Sequence, residues 1–405
     1  MCLSLIGNNS RMQGRAGLVL SVLLMLLLTS ACTPMAHQDQ AVVSMADKHA
    51  AAGHEPGPVN RTTALDMRGV SDLEGIIPSL ADKRVVFVSE SHNRFDHHLT
   101  QLEIIRRLHA IHSRLAIGME IFQQPFQGVL DDYIAGSLSE QDLLRDTEYY
   151  NRWGFDYRLY APILRYAREH QLPVIALNLP VELTRKVGRS GVDALAAEER
   201  AQLPSTIDRS DDAYEERLRQ VFNQHPDNGR SFDNFLEVQL LWDEGMAQQA
   251  ADYLAAHPDY HMVILAGSGH LARGSGIPRR LVRRQPVSSA IVLNGWEGAL
   301  EPDLADFILL TEPRMLSPSG KLGVLLDDKA DVPTVDTCLS DSPCTRAGLM
   351  HGDQFLSING EPLKDMTDLH LAMWDKLPGE SVILQVSRKR WFSSPQQLSF
   401  TLELE

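Results

Sequence analysis

Two acids and two imidazoles in this 405-residue chain stand where an α/β protein would carry out chemistry. Glu90 and His92 directly follow Val85–Val88, an apolar run whose β-branched and aromatic residues predict a buried strand. If the backbone stays extended, residues two apart project to the same side. The alternative is a polar turn whose Glu and His only cap the next helix.

The same pattern returns later in the chain. Further apolar runs predict strands that are followed by polar side chains, namely Leu115–Met119 before Glu120, Pro173–Leu177 before Asn178, and Met262–Leu265 before His270. Because the carboxyl ends of parallel strands lie on one edge of a sheet, we expect Glu90, His92, Glu120 and His270 to converge. They could bind a divalent metal ion through N and O ligands. Without a metal they could act as general acid and base, and a wholly structural role is the third alternative.

The elements that must position these residues are strands alternating with helices. Leu99, Leu102, Ile105 and Leu108, at three-residue spacing after His92, predict an amphipathic helix, and residues 288–293 predict a fifth strand. Continuous apolar strands predict an α/β domain with a mostly parallel sheet covered by helices on both faces. Residues 182–229 are charged and helical in pattern, which predicts a helical insertion over the open end of the sheet.

Composition excludes one class of partner. The net charge is −15, and nucleic-acid binding requires a basic surface. We therefore expect no nucleic-acid partner.

The first 31 residues are typical of a targeting segment. Arg11 and Arg15 precede an apolar run, Leu18–Leu28, that is too short to span a bilayer comfortably. The small residues that follow lead into Cys32 and resemble a bacterial lipoprotein signal, with cleavage before Cys32 and lipid on that residue. An ordinary secretory signal is the alternative. The resemblance predicts a lipid-anchored protein of the bacterial cell envelope, and Thr33 favours the outer membrane facing the periplasm. Residues 32–61 then form a flexible tether.

Cys338 and Cys344 remain after Cys2 and Cys32 are assigned to the leader and its anchor. The compartment permits disulfides. No further Cys or His stands beside them at ligand spacing, so we expect a local disulfide rather than a metal site.

A second, smaller domain is predicted for residues 318–405. The stretch Ala347-Gly348-Leu349, Gly352-Asp353, Ile358 and Asn359-Gly360 resembles the signature of PDZ domains. The resemblance implies a β-rich fold in which an extended peptide adds as a strand. It also implies that the amides of Leu322, Gly323 and Val324 hold the terminal carboxylate of a protein or peptide partner.

The first domain, residues 62–313, resembles the ChaN-type haem-binding lipoproteins associated with iron uptake. The resemblance rests on the segments SESH, GMEIF, WGFDYRLYAPIL, ALNLP, FLEVQLLWDEGMA and AGSGH, in this order. It implies haem held by a tyrosine in a dimeric assembly, and a phenolate suits ferric iron in transit. The candidate tyrosines are Tyr149, Tyr150, Tyr157, Tyr160 and Tyr166. Tyr157 and Tyr160, beside Trp153 and Phe155, are the ones we select.

Three functions follow from these patterns. The first is a membrane-anchored lipoprotein that binds haem or another iron porphyrin, with the PDZ domain recruiting a partner. The second is a hydrolase using Glu90, His92, Glu120 and His270, because the predicted core is also similar to erythromycin-esterase-like and Tiki-type metalloprotease domains. Ser89 stands directly before Glu90, where the family of the first domain has Gly. This difference weakens any transfer of catalytic roles from the family to this chain. The third is a scaffold in which only the PDZ domain is active.

Overall fold

The computed structural model describes residues 69–224, 231–296, 299–390 and 393–405. The predicted signal peptide and tether, with Cys32, lie outside these residues. Among the described helices, none combines the length and apolar character that crossing a bilayer would require.

A six-stranded sheet forms the centre of the first domain. Its strands are β1 (Val85–Glu90), β2 (Leu115–Gln123), β3 (Val174–Asn178), β4 (His261–Gly267), β5 (Ser289–Asn294) and β6 (Phe307–Leu309). They lie in the order β3-β2-β4-β1-β5-β6, and every neighbouring pair is parallel. The predicted parallel sheet is confirmed. The short edge strand β6 has no counterpart among the predicted apolar runs.

Helices cover both faces of this sheet. The described helices of the first domain are α1 (Leu73–Ala81), α2 (Phe95–Ile111), α3 (Gln127–Ile134), α4 (Glu140–Asp146), α5 (Tyr149–Arg152), α6 (Ala161–Glu169), α7 (Val181–Ser190), α8 (Ala197–Arg200), α9 (Asp212–Asn223), α10 (Phe232–Ala256), α11 (Ser268–Leu271) and α12 (Ile277–Arg284). Strand β1 shows why residues 85–88 are all apolar. Val86 and Val88 enter one apolar cluster, whereas Val85 and Phe87 enter the cluster on the opposite face.

The strand order brings distant parts of the sequence together. β4 lies between β1 and β2, with Glu90 opposite Gly267 and Met119 opposite Leu265. The carboxyl ends of β1, β2 and β4 are therefore adjacent. This is the edge at which open α/β sheets place their ligands.

The predicted helical insertion is present as α7, α8 and α9. Helix α9 begins at an Asp211 cap whose carboxylate accepts the Tyr214 N–H. Its Tyr214 hydroxyl reaches Asp243 on α10 at 2.6 Å. The insertion thus contacts the centre of the first domain.

The second domain is β-rich, as predicted. Its elements are β7 (Val324–Leu326), β8 (Val335–Cys338), α13 (Pro343–Ala347), β9 (Gln354–Ile358), β10 (Glu361–Pro362), α14 (Met366–Met373), β11 (Ser381–Arg390) and β12 (Ser393–Glu403). Strands β10-β9-β11-β12 form one antiparallel sheet, and β7 pairs with β8. Cys338 and Cys344 form a disulfide with a Cα–Cα distance of 5.4 Å, which joins β8 to α13.

A substitution at Gly245 tests how tightly α10 packs against the chain around Leu179. A Cβ at this position would lie 2.6 Å from Leu179 Cγ, whereas one at Gly128 would meet nothing within 4 Å. We expect Gly245→Ala to lower the free energy of unfolding by about 1–3 kcal/mol through overpacking. Gly128→Ala, the matched control on α3, should cause no loss. Urea denaturation of both variants checks this, and equal stabilities would contradict the packing argument.

Candidate functional site

Glu90 is the centre of the first half of the site. It is 3% exposed at the end of β1. Its Oε1 lies 2.8 Å from His92 Nδ1 and accepts the Tyr160 hydroxyl at 3.0 Å. Its Oε2 accepts the Gln101 amide at 2.9 Å and lies 3.3 Å from His98 Nδ1. A buried carboxylate is thus surrounded by groups able to donate hydrogen bonds.

Charge pairing dominates the electrostatics of this half. Burial alone raises the pKa of Glu90, but the His98 charge and the His92 hydrogen bond outweigh it and hold that pKa well below 4.5. Burial lowers the pKa of His98, yet Glu90 opposes this and leaves that pKa raised above 6.5. Glu90 and His98 therefore form a buried ion pair at mildly acidic pH.

Glu120, His270 and Asp243 form the second half. The Gly267 N–H donates to Glu120 Oε2 at 2.7 Å, and Glu120 Oε1 lies 3.5 Å from His270 Nε2. His270 Nδ1 lies 2.6 Å from Asp243 Oδ1, while the Tyr214 hydroxyl donates to Asp243 Oδ2. A carboxylate bonded to Nδ1 fixes the orientation of the imidazole and directs Nε2 toward Glu120.

Gly267 allows the two halves to meet. A Cβ built on it would lie 3.2 Å from His92 Cε1 and 3.6 Å from Glu120 Oε2. His92 and Glu120 therefore approach the same point on the backbone of β4. We call Glu90, His92, Glu120, Asp243 and His270 the acid–imidazole cluster.

Ser89 and Asn178 support the cluster rather than join it. Ser89 is fully buried, and its hydroxyl accepts the Asn294 N–H at 2.9 Å and the Ser268 hydroxyl at 3.1 Å. The serine therefore links β1 to β5 and α11. Asn178 donates to the Glu120 carbonyl at 3.1 Å, which ties β3 to β2.

Metal binding receives no support from the geometry. Within the described ranges, no group of three or more His, Cys, Asp or Glu side chains is arranged to hold a metal ion. The carboxylates instead accept hydrogen bonds from protein groups. The divalent metal predicted at Glu90, His92, Glu120 and His270 thus remains a sequence prediction only.

An aromatic segment, residues 149–160, covers the Glu90 end of the cluster. The Trp153 ring meets His92 edge-on at 4.8 Å between centroids, and Phe155 lies 5.0 Å from the same ring. Trp153 Nε1 donates to the Tyr160 hydroxyl at 3.1 Å. His92 is consequently only 7% exposed.

Tyr157 and Tyr160 are packed inside this segment. Both are 0% exposed, and their hydroxyls donate to Glu140 and Glu90. Burial, reinforced by these carboxylates, raises both phenol pKa values well above 10. Either tyrosine can contact a large ligand only if the aromatic segment moves.

The other candidate tyrosines differ in exposure. Tyr149 is 1% exposed, whereas Tyr150 and Tyr166 are half-buried. The Tyr166 hydroxyl lies 2.9 Å from His109 Nδ1. Tyr150 and Tyr166 thus present ring surface without rearrangement.

Sequence reasoning did not assign Asp243, Tyr214 or His98 to the site. Asp243 had a usable signal, because it falls three residues from Leu240 and from Met246 on the buried stripe of α10. His98 likewise shares the buried stripe of α2 with Gln101 and Leu102. Tyr214 lies in α9, a helix rich in charged residues, and the sequence contained no signal that placed it at the site.

Hydrogen bonds to its carbonyl groups fix the loop of the second domain that is predicted to bind a terminal carboxylate. The Leu322 carbonyl accepts the Cys344 N–H at 3.0 Å, and the Gly323 carbonyl accepts the Ser342 hydroxyl at 3.0 Å. Gly323 has φ +68°, in the left-handed region that favours glycine. Val324 begins β7 directly after this loop.

Two family models match the chain. One, described as haem-binding uptake, Tiki superfamily, ChaN, matches residues 76–281, just over half of the chain. The second, a PDZ domain model, matches residues 320–394. Both resemblances drawn from the sequence are confirmed.

Individual proteins are similar to this chain at low sequence identity. ChaN of Campylobacter jejuni, solved with cofacial haem, is 17% identical, with a TM-score of 0.49 over 60% of this chain and 92% of that one. A mutant of the erythromycin esterase EreC in its open conformation is 16% identical, with a TM-score of 0.35 over 55% and 72%. Protein RETICULATA-RELATED 5, a chloroplastic protein of Arabidopsis thaliana, is 24% identical over 55% of this chain. The chain spans about a third of the length of this curated relative, 32%.

The buried ion pair predicts a pH-dependent stability difference. The raised pKa of His98 means that its contribution is complete below pH 6.5 and is lost as pH rises through the folded-state value. The low pKa of Glu90 keeps the carboxylate ionised down to below pH 4.5. We expect His98→Gln to cost about 1 kcal/mol more at about pH 5.5 than at about pH 8.5.

Urea denaturation of wild type and variant at both pH values measures this difference. His351→Gln, a substitution on the exposed surface of the second domain, controls for the loss of a histidine. A cost that is constant with pH, or greater at alkaline pH, would refute the ion-pair assignment.

Proposed function

The chain belongs to the ChaN family of haem-binding uptake proteins in the Tiki superfamily, and from this premise we propose that it is a membrane-anchored lipoprotein that binds haem in iron uptake. The match over residues 76–281 is the observation that carries the proposal. The same region contains the aromatic segment and all five candidate tyrosines. The PDZ domain adds a peptide-binding module to this haem-binding domain.

The donor set of the chain fits ferric haem. A tyrosine phenolate is one of the axial ligands by which proteins hold haem iron, beside imidazole, Cys thiolate and the Met/His pair. Tyr150 and Tyr166 offer half-buried rings, and the Tyr166 hydroxyl lies within hydrogen-bond distance of His109 Nδ1. Tyr157 and Tyr160 offer the same donor after displacement of the aromatic segment. Haem supplies the iron, and the chain supplies the phenol, an apolar wall and Arg106, whose guanidinium lies 5.4 Å from the Tyr166 ring.

The location and assembly are proposed from the amino-terminal sequence and the family. Lipid on Cys32 would hold the protein at the outer membrane on its periplasmic side, with residues 32–61 as tether. A homodimer would bring two haem sites together. The PDZ loop Leu322–Val324 would recruit a partner through its terminal carboxylate.

Hemin titration of soluble protein lacking the leader tests the haem proposal. We expect a saturable Soret shift that weakens at least about tenfold in affinity, about 1.4 kcal/mol, when the ligating phenols are removed. Phe replaces Tyr149, Tyr150, Tyr157, Tyr160 and Tyr166 together. A Tyr150/Tyr166 pair of substitutions and a Tyr157/Tyr160 pair then show which set ligates.

Tyr253→Phe, on α10 outside the aromatic segment, is the matched control, and circular dichroism checks that each variant is folded. No saturable shift in wild type would remove the haem proposal. A shift untouched by the fivefold substitution would remove tyrosine ligation.

A second function is favoured by the acid–imidazole cluster itself. Two carboxylate–imidazole pairs, Glu90–His92 and Asp243–His270, meet beside Glu120 in a largely water-excluded setting. Such pairs are suited to general acid–base catalysis of ester or peptide hydrolysis. In this hypothesis Asp243 orients His270, and the proton that general acid–base catalysis requires is carried by His270 Nε2 and Glu120.

An esterase and peptidase screen tests the second function. Turnover should fall at least about 100-fold in Glu120→Gln and in His270→Asn. Asp243→Asn should reduce kcat and shift its pH profile, because it removes the negative charge that lies 2.6 Å from His270 Nδ1. Retention of turnover in chelator distinguishes the metal-free from the metal-dependent form, and no turnover on any ester or peptide would eliminate the hydrolase.

A further inference from the structure

Helix α14 of the PDZ domain packs against two partners. Leu369, 6% exposed, belongs to the apolar cluster of the PDZ domain together with Leu322 and Val324. Leu371, 3% exposed, belongs instead to the core cluster of the first domain, and Trp374 packs against that same cluster. The helix therefore joins the peptide-loop region to the first domain.

The face of α14 that meets the first domain contacts the aromatic segment. Residues 367, 370, 371 and 374 are spaced by three and four, which places them on one side of a helix. Trp374 meets the Tyr157 ring edge-on at 5.3 Å, and His370 lies 5.1 Å from the Tyr150 ring. The Thr367 hydroxyl lies 3.2 Å from Asn151 Oδ1.

The opposite side of the aromatic segment contacts the cluster. Tyr149 links Tyr150 and Tyr157 through edge-on contacts at 5.3 and 5.5 Å. Beyond them Trp153 covers His92, and Tyr160 donates to Glu90. Packed aromatic rings thus lie between α14 and the acid–imidazole cluster.

The packed state of the segment has unfavourable features at its start. Glu148 has φ 51°, a left-handed conformation that disfavours residues other than glycine. The Tyr149 hydroxyl is buried and finds no hydrogen-bond partner among the described residues. Gly154, at φ 82°, provides a position where the backbone can turn readily. These features indicate that contacts from outside the segment hold it in place.

We propose that residues 149–160 are a movable cover over Glu90 and His92, which helix α14 of the PDZ domain holds closed. A peptide that binds beside the Leu322–Val324 loop acts on α14, because Leu369 shares an apolar cluster with that loop. Displacement of α14 removes Trp374 and His370 from the segment. The cover then opens, and access to the cluster and to Tyr157 and Tyr160 depends on the state of the PDZ domain.

Hydrogen–deuterium exchange of the full chain tests the cover without any ligand. Trp374→Ala removes the largest contact, and we expect amide exchange across residues 149–160 to rise at least about tenfold. His370→Ala should give a smaller rise, and Trp374→Phe should restore exchange close to the wild-type rate. Ile383→Ala, which truncates a half-exposed side chain on β11, is the matched control and should leave the segment unchanged.

Exchange in β11 and β12 of the same samples reports whether the PDZ domain is still folded. If Trp374→Ala unfolds the domain, His370→Ala decides the question. Unchanged exchange across residues 149–160 with β11 and β12 intact would overturn the proposal, as would an equal rise in Ile383→Ala. Hemin binding is a separate measurement, so failure here leaves the haem proposal standing.

Discussion

The parallel pairing of β1 with β4 is the constraint on which the site depends. The two strands are separated by about two thirds of the first domain in sequence, yet their register puts Glu90 opposite Gly267. Because β2 pairs with the other edge of β4, Glu120 approaches from that side and lies near His270, which follows β4 on α11. No local segment contains the cluster. It exists only when these strands are adjacent and their carboxyl ends point the same way.

Burial then determines how the side chains must be arranged. Asp243 is 1% exposed and Glu244 is 0% exposed, and an unpaired charge at such depth costs several kcal/mol. Asp243 is paired with His270 and Tyr214, whereas Glu244 meets Arg280, Arg283 and Arg284 of α12. The insertion helix α9 is thus tied to the site by the need to pair a buried carboxylate.

Much of this architecture was accessible from the sequence. Continuous apolar runs predicted five of the strands, because a strand covered on both faces has no polar side. The polar residues after those runs predicted which side chains would lie at the shared edge. Asp243 and His98 lie on buried helix stripes that the sequence shows, but which groups they meet depends on how α10 and α2 pack, and Tyr214 had no sequence signal. Edge strand β6 is three residues long, too short for a periodic signal.

The aromatic segment shows why residue type alone does not tell whether a candidate ligand-binding side chain is accessible. Its density of Tyr, Trp and Phe led us to select Tyr157 and Tyr160 as haem ligands, but both side chains are fully buried and hydrogen-bonded. The contacts that link the segment to α14 are of modest strength, since an aromatic pair contributes about 0.5–1.5 kcal/mol beyond its buried area. A ligand bound with micromolar affinity supplies about 8 kcal/mol. The binding free energy of such a ligand exceeds the strength of these ring contacts, so the ligand can replace them. The same tyrosines can therefore be buried in the conformation described here and bind a ligand in another conformation.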